Sequence, residues 1–72
     1  MFGKNKQAIL TTNLIVKVRK YKDQQPWFSF HNTPAMADET KARETSVKLN
    51  ELAELDKEKD WQVQYYCVPM VL

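Results

Sequence analysis

The sequence is poor in glycine, cysteine and histidine, and each scarcity excludes a class of site. Gly3 is the only glycine among the 72 residues, so the glycine-rich loop that cradles phosphates in nucleotide-dependent enzymes cannot form in its usual shape. One cysteine and one histidine are too few for a structural zinc site, and they allow no disulfide within the chain. We therefore expect no cofactor, no metal and no nucleotide-dependent catalysis.

Long apolar runs are also missing. The longest is Val68–Leu72, far short of the roughly 20 residues of a membrane-spanning helix. The first residues, Met1–Lys6, do not lead into the apolar run of a secretory signal. A lone Cys67 is typical of a reducing compartment, because small secreted domains usually pair their cysteines. These features predict a cytoplasmic protein that does not bind membranes.

Charges of the two signs are divided between the halves of the chain. Residues 1–36 contain six basic and one acidic residue, whereas residues 37–72 contain five basic and eight acidic residues, so the net charge of +2 conceals two opposite regions. Such asymmetry indicates a charged partner or contact between copies, although an acidic helix beside a basic strand would show it as well.

Alternation with period two predicts a first strand over residues 8–21. We expect its more apolar side to face the core: Leu10, Thr12, Leu14, Val16 and Val18. We expect its polar side to face solvent: Thr11, Asn13, Lys17 and Arg19. Ile9 and Ile15 interrupt the polar side, which fits a long central strand with partial cover on both faces.

A hairpin and a helix are predicted next. The polar turn Lys22–Pro26 leads into a second strand over Trp27–His31. A helix capped either by Thr33 or by Asp38 then runs to about Leu55 or Asp56. Its inner stripe, read at 100° per residue, consists of small and apolar side chains: Ala42, Thr45, Ser46, Leu49, Leu52 and Ala53. Val47 points outward.

A third strand is predicted over Trp61–Val68, with an inner side formed by Trp61, Val63, Tyr65 and Cys67. Pro69 lacks a backbone donor, so this strand lies at a sheet edge or ends there. We expect an α+β domain of topology ββαβ over residues 8–72, after a basic, flexible tail at residues 1–7. Its three-stranded, mainly antiparallel sheet has the order 2-1-3, with 1-2-3 as the competitor, and one helix packs on one face.

No set of residues in the sequence points to catalysis. Cys67 and His31 could be drawn as a nucleophilic pair, but they fall on strands at opposite edges of the expected sheet, and no third group orients the imidazole. A buried structural cysteine and a histidine that bonds the adjacent turn are the simpler interpretations. We therefore expect no catalytic residues and a protein that is not an enzyme.

Two segments are candidates for contact with other molecules. Basic and aromatic residues follow one another in the hairpin, where a face opposite the helix would hold single-stranded nucleic acid or an acidic partner. The contact residues expected there are Lys17, Arg19, Lys20, Tyr21, Lys22, Trp27 and His31. The apolar C-terminal run would form an exposed hydrophobic surface at which another molecule binds. The interface residues expected there are Tyr66, Val68, Met70, Val71 and Leu72.

Together these features favour a non-enzymatic protein-interaction module that occupies a surface of a larger protein, with a homodimer as the expected form. Accessory proteins of phages and mobile elements, which inhibit or redirect a host machine from within the host cytoplasm, are the class in which such small chains are frequent. The alternative is a small nucleic-acid-binding protein that uses the basic, aromatic sheet face.

Overall fold

A computed structural model describes residues 10–72, which form three strands and one helix. The elements are β1 (Thr11–Tyr21), β2 (Trp27–Phe30), α1 (Glu39–Leu55) and β3 (Trp61–Val71). This arrangement confirms the expected ββαβ topology of the α+β class. The expected tail at residues 1–7, and the start of the first strand at residues 8 and 9, lie outside the described residues.

The sheet has the order β2-β1-β3 with antiparallel neighbours, which confirms order 2-1-3 and excludes order 1-2-3. Val16, near the middle of β1, lies opposite Phe30 of β2 and Tyr66 of β3. The third strand runs on to Val71, past the expected end at Val68, and Pro69 lies in an edge strand as predicted. The central strand is therefore β1, which pairs over its whole length with the equally long β3.

The helix covers the face of β1 that the sequence analysis expected to face solvent. Asn13 and Ile15 are 4% and 1% exposed, and Lys17, Arg19 and Tyr21 share their side of the strand because side chains alternate. The expectation of an inner side at Leu14, Val16 and Val18 is therefore wrong. Asn13 tolerates burial because its side-chain amide donates a hydrogen bond to the carbonyl of Met36 (2.9 Å).

The helix begins after Asp38, which resolves the two capping alternatives. The Asp38 carboxylate accepts a hydrogen bond from the backbone N–H of Lys41 (3.2 Å), and the helix ends at the expected position, with Asp56 as the C-cap. Ala42 and Ser46 are buried, and their small size lets the helix approach the sheet closely. Leu52, expected on the inner stripe, is 60% exposed, whereas Val47 points outward as predicted.

Asn50 explains why the inner stripe fails near Leu52. Its side-chain amide donates to the carbonyl of Tyr65 (3.0 Å) and accepts from the N–H of the same residue (2.7 Å). Those two backbone groups point away from β1, because the alternate residues of β3 are the ones that bond to it. The helix thus runs out along the outer edge of β3, where its last turns no longer cover the sheet.

The monomer has a thin core. Ile15 and Ala42 are the buried hydrophobic residues of the described region, and a domain of this size rarely obtains more than about 3–5 kcal/mol from its own core. Stability therefore depends on a few side chains, and additional burial elsewhere would matter to the fold.

We expect Ile15→Ala to lower the free energy of unfolding by about 2–5 kcal/mol, because it leaves a cavity where Ile15 is 1% exposed. Urea denaturation followed by circular dichroism measures the loss. Val47→Ala, at a residue that is 55% exposed, is the control and should change the free energy by less than about 0.5 kcal/mol. Equal losses in both variants would contradict this placement of the core.

We expect Asn50→Ala to lower the free energy of unfolding by about 1–3 kcal/mol, because both backbone groups of Tyr65 lose their partner. Hydrogen exchange should show faster exchange of the Tyr65 amide, while the amides of β1 keep their protection. Unchanged exchange at Tyr65 would show that the Asn50 amide does not hold the strand edge in solution.

Candidate interaction surfaces

The sheet face opposite the helix is apolar and uncovered in the described residues. Its members come from all three strands; they are Leu14, Val16, Val18, Phe28, Phe30, Tyr66, Val68 and Met70. We call this set the open sheet face. Phe28, Phe30 and Tyr66 are 73%, 66% and 50% exposed. Such a continuous patch on a small protein usually marks a contact surface.

Cationic and aromatic side chains come together on the helix side of the sheet, beyond the part that the helix covers. The Arg19 guanidinium lies 5.1 Å from the ring centroid of Trp27 and 5.4 Å from that of Trp61. Trp61 also packs on Tyr21, with ring centroids 5.0 Å apart, and on Trp27, at 6.0 Å. These rings and Arg19, with Lys17 beside them, are called the basic–aromatic cluster.

Lys17 extends the cluster toward the middle of the sheet. Its ammonium group lies 5.7 Å from the ring centroid of Tyr65, and that ring meets His31 edge to face at 5.5 Å. Within residues 10–72, neither Lys17 nor Arg19 forms an ion pair with a carboxylate, whereas Lys22 approaches Asp60 at 3.9 Å. The rings therefore hold two cations whose charge is not neutralised by the described part of the chain.

The expected contact residues of the hairpin do not all lie on one surface. Lys17, Arg19, Tyr21 and Trp27 lie together as predicted, but on the helix side of the sheet, which corrects the expected face. Lys20 alternates onto the other face, and Lys22 lies in the turn that follows β1. His31 contacts Tyr65, and its Nδ1 also accepts a hydrogen bond from the backbone N–H of Thr33 (3.3 Å), as predicted for a strand-end histidine.

The sequence alone did not indicate that Trp61 belongs to the basic–aromatic cluster or that Tyr65 is the ring beside Lys17. Both were expected on an inner side, and the register does place them on the helix side, opposite Tyr21 and Lys17. The alternation of β3 indicates the side of the sheet on which these two rings lie. The sheet order and the register of β3 together put Trp61 beside Arg19.

The C-terminal residues do not form a loose tail. They continue β3 and pair with β1 as far as Val71, which lies opposite Thr11, and the N–H of Leu72 donates to the carbonyl of Leu10 (2.9 Å). Of the expected interface residues, Tyr66, Val68 and Met70 belong to the open sheet face. Val71 alternates to the helix side, and Val71 and Leu72 are exposed.

An open groove of about 610 Å³ runs between the basic–aromatic cluster and the end of the helix. Arg19, Lys17 and Tyr65 line its sheet side. Glu54, Asp56 and Glu58 line it from the end of α1 and the following turn. The basic and acidic halves of the sequence therefore meet at one groove, which presents both signs of charge.

The described residues show no constellation that resembles a metal or nucleophilic site. No group of three or more His, Cys, Asp or Glu in residues 10–72 is placed to hold a metal ion. His31 and Cys67 lie on opposite sides of β1, since the one bonds Ile15 from β2 and the other pairs with it from β3. The Cys67 thiol instead lies 3.9 Å from the side-chain oxygen of Asn13.

Comparison with family models, with curated proteins and with solved structures finds no match to this chain. Among residues 10–72, no helix has the length and hydropathy that crossing a bilayer requires.

Proposed function

We propose that this chain is a non-enzymatic protein-interaction module that binds a larger protein through the basic–aromatic cluster. The observation that supports this function is the position of Arg19 beside both Trp27 and Trp61, at 5.1 and 5.4 Å from the centroids of their rings. Tryptophan, tyrosine and arginine are the residues that contribute most to binding energy at protein interfaces. Here they form one partly exposed group on rigid strands.

The chemistry of the cluster favours a partner with an acidic surface. A guanidinium held against two aromatic rings has less rotamer freedom to lose, and its N–H groups can donate to a carboxylate. Lys17, held over Tyr65, adds a second cation on the same face. Carboxylates on the partner would form the ion pairs that Lys17 and Arg19 do not form within the described residues.

Charge in the adjoining groove favours a protein over a polyphosphate chain. Glu54, Asp56 and Glu58 line the groove from the helix end, with Lys57 as the one basic residue among them, and this excess of negative charge would oppose a continuous phosphate backbone. A folded protein can present carboxylates to the cluster and basic groups to the helix end. Mixed charge of this kind gives specificity and correct orientation at protein interfaces.

The biological setting that we propose is an accessory role of the phage or mobile-element type in the host cytoplasm. A module without chemistry of its own acts by occupancy, and occupying one surface is enough to inhibit or redirect a larger machine.

Single-stranded nucleic acid is the second candidate ligand, because Lys17 and Arg19 are not neutralised by carboxylates in the described residues and aromatic rings lie beside them. Base stacking, however, needs free ring faces. Trp61 already contacts Tyr21, Trp27 and Arg19, so only part of the aromatic surface remains for bases. For this reason we propose an acidic protein as the first candidate and nucleic acid as the second.

The double variant Lys17→Glu/Arg19→Glu should lose the partner. A protein retained from host lysate by the immobilised wild-type chain should bind this variant at least about 30-fold more weakly, as expected when a central arginine is lost. The matched control is Lys41→Glu/Lys48→Glu, which makes the same change in net charge at two exposed helix residues. Circular dichroism checks that both variants fold.

Titration with labelled single-stranded oligonucleotides, first at low and then at higher salt, separates the two candidates. The wild-type chain should not bind them in the micromolar range at low salt. Binding that falls steeply with salt, and that the cluster variant alone abolishes, would establish nucleic acid as the ligand instead. A lysate protein that binds both double variants equally would contradict the assignment of the cluster.

A further inference from the structure

We infer that the open sheet face is the interface of a homodimer, in which two copies of the chain stack their sheets through Val16, Phe28, Phe30, Tyr66 and their neighbours. This inference concerns the face opposite the basic–aromatic cluster and does not depend on the partner proposed for that cluster. Four observations support it: the composition of the face, its area, the thin monomer core and the residues left to cover it.

The composition of the open sheet face suits a copy of itself. Its eight members, defined above, include no ionisable group other than the Tyr66 hydroxyl, and the polar residues of the same face lie at its margins: Thr12, Lys20, Gln62 and Gln64. In a two-fold dimer the same patch meets itself, so a charged patch would repel its copy. An apolar centre with polar margins requires no complementary charge from the second molecule.

The area of the face is sufficient for a specific dimer. With about 200 Å² for each aromatic side chain, the exposed fractions of Phe28, Phe30 and Tyr66 correspond to roughly 400 Å² of apolar surface per copy. Met70, which is 42% exposed, and the half-buried aliphatic members add to this. Two copies would bury on the order of 1,000–1,200 Å² together, at the lower limit of stable interfaces.

The monomer also needs this burial. Ile15 and Ala42 are its buried hydrophobic residues in the described region, and both lie on the helix side. Stacking two open sheet faces would create a second apolar layer of the kind that holds β-sandwiches together, with sheets about 10 Å apart. Val16, central in β1 and flanked by Phe30 and Tyr66, would lie at the middle of that layer.

Other occupants fit the face less well. The nine residues that precede Leu10 include only Met1, Phe2, Ala8 and Ile9 as apolar residues, fewer than the eight members of the face. Pairing of strand edges is the other route to self-association. The outer edge of β3 is obstructed where Asn50 bonds both backbone groups of Tyr65 and where Pro69 lacks a donor, and the outer edge of β2 offers only the four residues Trp27–Phe30. Stacking of the faces leaves both features undisturbed.

Sedimentation velocity over a series of concentrations tests the dimer. The wild-type chain should sediment as a dimer at tens of micromolar. Phe30→Glu, at a residue that is 66% exposed, should sediment as a folded monomer, with the dissociation constant raised at least about 100-fold by the buried charge. Val47→Glu, on the outer side of the helix and 55% exposed, is the control and should remain dimeric.

Photocrosslinking keeps the inference testable if Phe30→Glu does not fold. Replacing Phe28 with benzoylphenylalanine retains an aromatic side chain, and irradiation should join it to the open sheet face of a second copy. A wild-type monomer at high micromolar concentration would overturn the inference. So would a dimer that folded Phe30→Glu leaves intact, or a crosslink within one chain to residues 1–9. None of these outcomes alters the result expected for the Lys17→Glu/Arg19→Glu variant, which tests the partner surface.

Discussion

Strand β1 has apolar side chains on both faces, Ile15 on one and Leu14, Val16 and Val18 on the other, and the described chain has one helix with which to cover them. Helix α1 packs by its small residues Ala42 and Ser46 over the face that holds Asn13 and Ile15. Because side chains alternate along the strand, this choice leaves Leu14, Val16 and Val18 on the opposite face. The neighbouring strands add aromatic residues to that face, so the exposed apolar surface is a direct consequence of covering a two-sided strand from one side.

The path of the same helix also determines where the helix side of the sheet stays open. Asn13 exchanges backbone hydrogen bonds with Met36, so the chain enters the helix beside the start of β1. Asn50 then ties the helix to the outer edge of β3 at Tyr65. The helix therefore crosses the sheet obliquely, and it leaves uncovered the region where Arg19 meets Trp27 and Trp61. Both candidate surfaces are therefore exposed because of the position that helix α1 takes on the sheet.

The sequence predicted the order of the elements and the end of the helix because both depend on local rules, and it favoured strand order 2-1-3 over 1-2-3 from the strand directions. It left the start of the helix open between Thr33 and Asp38. The residues themselves offer Asp38 as a capping residue. The turn after β1 and the helix between β2 and β3 set the directions of the three strands. The choice of face was not predictable in this way. Leu14, Val16 and Val18 form the more apolar side, and they would be the buried side of a strand in a closed monomer. Burial of Asn13 depends on its tertiary bond to Met36, which no periodicity reveals.

The scarcity of glycine has a structural consequence at the turns beside the cluster. Lys22 and Asp60 adopt φ values of 50° and 69°, in the left-handed region that costs a non-glycine residue roughly 1–2 kcal/mol. The two turns support each other, because the N–H of Lys22 donates to the carbonyl of Asp60 (2.8 Å) and the side chains approach at 3.9 Å. This double contact joins the ends of β1 and β3 where Tyr21 packs on Trp61. A cluster supported in this way is already ordered in the free chain, so less conformational entropy would be lost if it bound the partner proposed above.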